Sequence, residues 1–235
     1  MLPLYRATIQ ALGPLAGRRL LDAGCGSGRA LHEAAVLGAR VTGLDATPQL
    51  LEIAHRDTPE ADLAVGDVQD LPFASDTFDV VTAFNSIQYA VDPAAAAAEL
   101  ARVCRSRGRV AIGFWGEPAR GEADNLLKQV GSLAPPPPET PAPLVFNDAG
   151  VVEGLLTETG LHVDGGDEVL ISLTFITLDD AWTAYSSIGP VQKVIDQAGA
   201  EPVRRVIDAV LEADRKPDGQ LRQDNILRYV LATKP

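Results

Sequence analysis

The sequence predicts an α/β fold with a mostly parallel, seven-stranded sheet, helices on both of its faces and helical insertions that act as lids. Three observations carry that expectation. Apolar strand-like runs alternate with helical segments from residue 18 to 114. The first run enters a glycine-rich turn, Gly24-Cys25-Gly26-Ser27-Gly28, and the next two each close on an aspartate, Asp45 and Asp67.

Residues 2–16 have the spacing of a short amphipathic helix. From Arg18 to Ala23 the chain turns apolar and runs into glycines, the pattern of a buried strand meeting a tight turn. A helix at about 28–38, a strand at 41–45, a helix at 47–57 and strands at 63–67 and 78–84 follow. Asp92 and Pro93 supply an N-cap acceptor and a first-turn proline for a helix over 92–105, which Gly108 follows before a strand at 109–114. Strands separated by helices favour parallel pairing with right-handed crossovers, the Rossmann-like arrangement.

Beyond Phe114 the texture changes. Residues 117–133 read as helical, and Pro135 to Pro138, Pro141 and Pro143 as a stiff extended connector. A helix over 147–159 is opened by Asn147 and stopped by Gly160, and strands at 168–176 and 226–233 complete the sheet around a helical stretch, 179–214. The expectation is one domain over 1–235, with 18–114 as a cofactor core and 1–17, 115–145 and 178–215 as lid and acceptor-pocket segments.

A net charge of −12 argues against nucleic-acid partners, which require concentrated Lys and Arg to displace phosphate counterions. No segment has the apolar length of a membrane span and the first residues lack a secretory signal, so a soluble, cytoplasmic protein is expected. Cys25 and Cys104 have no Cys or His partners at metal-ligand spacing and read as free thiols; no metal is expected.

The chemistry concentrates in Leu20-Leu21-Asp22-Ala23-Gly24-Cys25-Gly26-Ser27-Gly28. Glycines let a ligand approach the backbone, and the helix that follows offers free N–H groups to an anion. By itself this turn is as compatible with no cofactor as with one, since such turns also occur in dinucleotide enzymes and as plain structural bends. Asp45 ends the second strand, where a carboxylate accepts bonds from both ribose hydroxyls of a nucleoside, and Asp67 ends the third. All three features fall on the carboxyl edge of the sheet, where open α/β folds bind ligands.

Over residues 18–114 the chain resembles the class I S-adenosylmethionine-dependent methyltransferases, especially the ubiquinone-biosynthesis-like small-molecule group. The resemblance rests on Leu21 to Gly28, on Gly43-Leu44-Asp45 with Leu50, on Gly66-Asp67-Val68-Gln69-Asp70-Leu71-Pro72-Phe73 and on Phe78-Asp79-Val80-Val81. It implies S-adenosylmethionine as cofactor and S-adenosylhomocysteine as product. It also implies that Gly24, Cys25, Gly26 and Gly28 lie against the methionine part and that Asp22 holds its amino group. Asp45, with Ala46 beside it, would hold the ribose, Leu50 would pack on the adenine, and Gly66, Asp67 and Val68 would read its edge. Phe84 and Asn85 would flank the methionine part, and Gln88 and Tyr89 would face the acceptor, although Tyr89 fits a core aromatic at a helix start equally well. A nicotinamide oxidoreductase fits less well, since its fingerprint requires a small residue where Arg29 stands. Asn85-Ser86-Ile87 lacks the prolines expected of enzymes that methylate DNA bases.

The implied reaction is in-line methyl transfer to an oxygen, nitrogen or carbon of a small molecule, which depends mainly on positioning and exclusion of water. Trp115, Trp182 and Tyr185 are acceptor-pocket candidates, with packing roles equally compatible with their positions. No general base stands out: His32, His55 and His162 have no acid partner by spacing. A catalytically silent cofactor-binding protein is the alternative.

Overall fold

The computed structural model of the chain describes residues 1–117, 120–134, 146–148 and 150–235; the proline-rich connector read at 135–143 lies outside the described residues. Seven strands form one sheet: β1 (Arg19–Ala23), β2 (Arg40–Asp45), β3 (Asp62–Val65), β4 (Phe78–Phe84), β5 (Cys104–Trp115), β6 (His162–Phe175) and β7 (Leu221–Thr233). Their order is β3-β2-β1-β4-β5-β7-β6. The pairs β1–β2, β2–β3, β1–β4 and β4–β5 are parallel, and β7 runs antiparallel to β5. The order reverses beside β1, which makes the end of that strand the switch point of the sheet.

By contacts the chain divides into two compact units, the first being Met1–Trp115, Leu144–Val169 and Leu227–Pro235. Its interior strands are buried on both faces, as a parallel sheet covered by helices requires. Leu21, Val81, Ala83, Val110, Ile112 and Phe114 face one layer, closed by α4 (Pro93–Val103) and α6 (Val151–Glu158). Helices α1 (Leu2–Leu12), α2 (Arg29–Val36) and α3 (Pro48–Asp57) make the other layer, α1 against α2 and β5, and α2 against α3. Asp92 caps α4 as expected, accepting from the backbone N–H groups of Ala94 and Ala95 at 2.9 and 3.1 Å.

Several boundaries differ from the sequence expectation, each for a local reason. Helix α1 stops at Leu12 because Gly13 takes φ 83° and Pro14 has no N–H to continue the ladder. Strand β5 begins at Cys104, where the helix was expected to run on to 105 and the strand to start at 109, because Arg107 N–H donates to the Lys234 carbonyl and Lys234 N–H to that of Gly108. Helix α6 opens at Val151, and Asn147 is left in a turn before Gly150, whose φ is 82°. Strand β6 starts at His162, six residues before the expected 168. It is a largely exposed edge strand, so no apolar alternation marks Asp164-Gly165-Gly166-Asp167. A Cβ on Gly166 would lie 2.0 Å from the Tyr229 carbonyl oxygen, a close approach that glycine alone allows.

The second unit comprises Gly116–Pro143 and Leu170–Ile226. Its helices are α5 (Glu122–Gly131), α7 (Leu178–Ser186), α8 (Gly189–Ala198) and α9 (Ala200–Ala213). The expected single helical stretch over 179–214 is thus three helices, parted before Pro190 and at Gly199, which takes φ 88°. They bury Leu126, Val130, Val191, Val203, Ile207 and Leu211 in a core of their own. Polar Gln223 and Asn225 occupy buried positions of β7: Asn225 Oδ1 accepts from Ala123 N–H at 2.9 Å, satisfying a first-turn donor of α5.

Among the described residues no helix is long and apolar enough to cross a membrane, and no group of His, Cys, Asp or Glu is arranged to hold a metal. Cys25 and Cys104 are buried free thiols.

Candidate active site

The carboxyl ends of β1, β2, β3 and β4 surround a cleft of about 790 Å³ within the first unit. Its floor is the glycine turn after β1, where Gly24, Gly26 and Gly28 take φ of 77°, 54° and 77°. A Cβ at Gly24 would lie 2.3 Å from the Ser86 Cβ, and one at Gly28 2.7 Å from the Ala54 Cβ. The turn is therefore packed between the loop after β4 and helix α3, and a side chain at either position would push it out of place.

Asp45 fixes the turn to β2. Its Oδ2 accepts from Gly26 N–H at 2.9 Å and its Oδ1 from Thr47 N–H at 2.8 Å, while Gly24 and Cys25 N–H both donate to the Leu44 carbonyl. Each carboxylate oxygen retains a further lone pair for a ligand hydroxyl. Asp67 accepts from the backbone N–H of Gln69 at 2.9 Å and from its side-chain amide, and these bonds hold its carboxyl below the usual aspartate range.

Asp22 is placed differently. It is 2% exposed, off the cleft wall, and accepts from the Thr82 hydroxyl at 2.7 Å. Burial pushes its pKa up to about 7, against the Thr82 bond and helped by the charge of Asp45. Above Phe84 stands Tyr5 of α1, edge to face at 4.8 Å between ring centres. Burial, then the charge of Asp22, raises the Tyr5 hydroxyl to about 12, with Arg29 opposing.

Of the residues expected at a cofactor site, Gly24, Cys25, Gly26, Asp45, Ala46, Leu50, Gly66, Asp67, Val68, Phe84 and Asn85 line this one cleft. Gly28 lies behind it. Tyr89 also lines the cleft and is 66% exposed, so its packing alternative does not hold; neighbouring Ile87 takes the core position. Gln88 points its amide at Asn85 Oδ1, 3.4 Å away, and does not reach the wall. Trp115 ends β5 half-buried, opposite Leu227 of β7. In the second unit Trp182 packs under Arg204 at 5.8 Å, and Tyr185 is buried in the helical core with its hydroxyl on Gln223. The positions of Tyr185 and Trp182 are those of packing residues of that unit.

Tyr5, Ser27, Arg29, Thr47, Gln69, Ser86 and Val91 line the cleft without having been expected there. For Ser27, Arg29, Thr47 and Ser86 the signal was adjacency to a motif residue. Tyr5 had none, since its arrival at Phe84 depends on how α1 packs on β5.

Residues 21–112 match the family model described as a methyltransferase domain. The match runs from Leu21 in β1 to Ile112 in β5 and so covers the parallel part of the sheet that builds the cleft. Over residues 21–112 the chain is therefore similar to methyltransferase domains.

The demethylmenaquinone methyltransferase of Renibacterium salmoninarum is 28% identical over 60% of this chain and 62% of its own length. The chain spans 62% of the length of the first curated relatives it matches. The crystal structure of the YcgJ protein from Bacillus subtilis superposes with a TM-score of 0.67 at 17% identity, over 98% of this chain and 97% of that one. Phosphoethanolamine N-methyltransferase 2 of Haemonchus contortus, solved with S-adenosyl-L-methionine, superposes with a TM-score of 0.60 at 21% identity, over 98% of this chain and 52% of that one. These structures share the fold. The donor set of the cleft fits a nucleoside with an amino-acid tail: acids at Asp45 and Asp67 for hydroxyl and amine donors, and bare glycine backbone beside them.

Proposed function

We infer that this chain transfers the methyl group of S-adenosylmethionine to a small-molecule acceptor. One observation carries the reading: Asp45, with both carboxylate oxygens anchored by backbone N–H groups, stands on the same cleft wall as the glycine turn it ties down. A ligand with a diol for the carboxylate and a slender tail for the glycines fits both, as this cofactor does.

When bound, the cofactor supplies a methyl activated on a sulfonium, which passes in line to an acceptor nucleophile while sulfur keeps the electron pair of the broken bond. The chain's share is positioning and water exclusion, which supply on the order of 7–11 kcal/mol in favourable cases. Asp45 orients the ribose, Leu50 covers the adenine, and Tyr5 with Phe84 closes the tail end against water. Segment 1–17, which brings Tyr5 to the cleft, contributes to selecting the acceptor. The cleft lip carries exposed apolar groups at Val65, Tyr89 and Val91, which favours an acceptor with an apolar face. A reduced quinone is the first compound to try, given the relative that methylates demethylmenaquinone.

Calorimetric titration of the full chain with S-adenosylhomocysteine, S-adenosylmethionine and NAD tests the cofactor. Binding of the two adenosyl compounds without NAD is expected, and tight NAD binding alone sinks the reading. Incubation with methyl-labelled cofactor and a panel of quinols, phenols and amines tests turnover, read as label in the acceptor.

A further inference from the structure

Arg29 is the only cationic side chain on the cleft wall among the described residues. It opens helix α2 directly after Gly28, at the end of the helix whose first-turn N–H groups have no acceptor within the helix. The acid one turn further on, Glu33, is hydrogen-bonded by Arg6, whose Nε and Nη2 donate to it at 2.8 and 3.3 Å, and Arg29 acts on it only through space. Asp22 is also taken, buried beneath Thr82. Asp45 and Asp67 accept from the backbone of the turns and from Gln69, and Arg29 forms no ion pair with either among the described residues. The cleft wall therefore carries, at the glycine-turn end, one positive side chain that forms no ion pair among the described residues and is close enough to Tyr5 to act on its hydroxyl.

The proposed cofactor is charged in a complementary way. Its sulfonium and ammonium are positive, and its carboxylate is the single anion. An arginine fork beside a helix N-terminus matches that group in charge and in geometry. Resting on the cofactor assignment above, we propose that Arg29 grips the carboxylate of the amino-acid tail and makes the cleft discriminate against nucleosides whose tail lacks it.

The test compares two ligands on the full chain by calorimetry: S-adenosylhomocysteine and its decarboxylated analogue, which keeps the adenosine, thioether and amine. The native chain should bind the first at least tenfold more tightly. Arg29→Gln should weaken S-adenosylhomocysteine about tenfold or more and leave the decarboxylated ligand within about twofold, so that the preference collapses; Arg29→Lys should retain part of it. Unchanged binding of the decarboxylated ligand also certifies that the variant is folded. A native chain that binds both ligands equally overturns the proposal, as does an Arg29→Gln chain that loses both alike or neither. A native chain that binds neither ligand removes the cofactor assignment itself, a result distinct from any of these.

Discussion

Gly24 and Ser86 bring the loops after β1 and β4 into direct contact, with no room between them for a single added carbon. Ser86 secures the junction by donating its hydroxyl to the Ala23 carbonyl at 2.7 Å, and Gly24 takes φ 77°, a left-handed backbone. The floor of the cleft is thereby set by two loops sixty residues apart in sequence. Gly24→Ala adds left-handed strain and overpacking, together about 2–4 kcal/mol. Urea unfolding should show that loss together with loss of S-adenosylhomocysteine binding, and a variant of native stability and affinity would contradict the packing described.

Asp45 anchors the turn and lines the cleft, so under the proposed function its removal should act on both stability and binding. Hydrogen bonds to a charged group contribute about 1.5–3 kcal/mol each, so Asp45→Ala is expected to weaken S-adenosylhomocysteine by about 10–100-fold. Asp45→Asn keeps one acceptor for Gly26 or Thr47 and should fall between. Equal affinities across native, Asn and Ala chains in calorimetry contradict the assignment.

Asp22 links stability to pH. The unfolded chain ionises it near 3.8, whereas burial holds the native carboxyl protonated up to about pH 7. Between those values the native state keeps a proton that the unfolded state has lost. This group's contribution to stability therefore falls as pH rises from about 4 to 7 and is level above. Asp22→Asn cannot ionise and should be less destabilised than the native chain on going from pH 5 to pH 8 in urea titrations. Parallel pH profiles for the two chains rule out a raised Asp22.

Tyr5 couples α1 to the cleft through its edge-to-face contact with Phe84. Such aromatic pairs contribute about 0.5–1.5 kcal/mol beyond area burial, so Tyr5→Ala should destabilise the chain by about 1–3 kcal/mol and raise the dissociation constant for S-adenosylhomocysteine. Tyr5→Phe keeps the ring and should be close to native in stability. Identical unfolding midpoints for Tyr5→Ala and the native chain would show that the contact is not formed in solution.

The sequence by itself determined the parallel core and its strand-end chemistry. Buried parallel strands are continuous apolar runs, and the glycines and aspartates at their carboxyl ends follow at short, fixed offsets, so local pattern and global position coincide at Gly24, Asp45 and Asp67. Tertiary structure alone decided which neighbours complete the site. Tyr5 reaches the cleft only because α1 packs on β5, and Asp22 lies buried off the wall, hydrogen-bonded to Thr82 beside it on β4. It also decided that β6 starts at His162 and runs through Asp164-Gly165-Gly166, where backbone pairing at the sheet edge orders a polar stretch that carries no periodicity. Periodicity records which face of an element is buried, whereas an edge strand, a helix docking across a sheet and a buried carboxyl depend on partners distant in sequence.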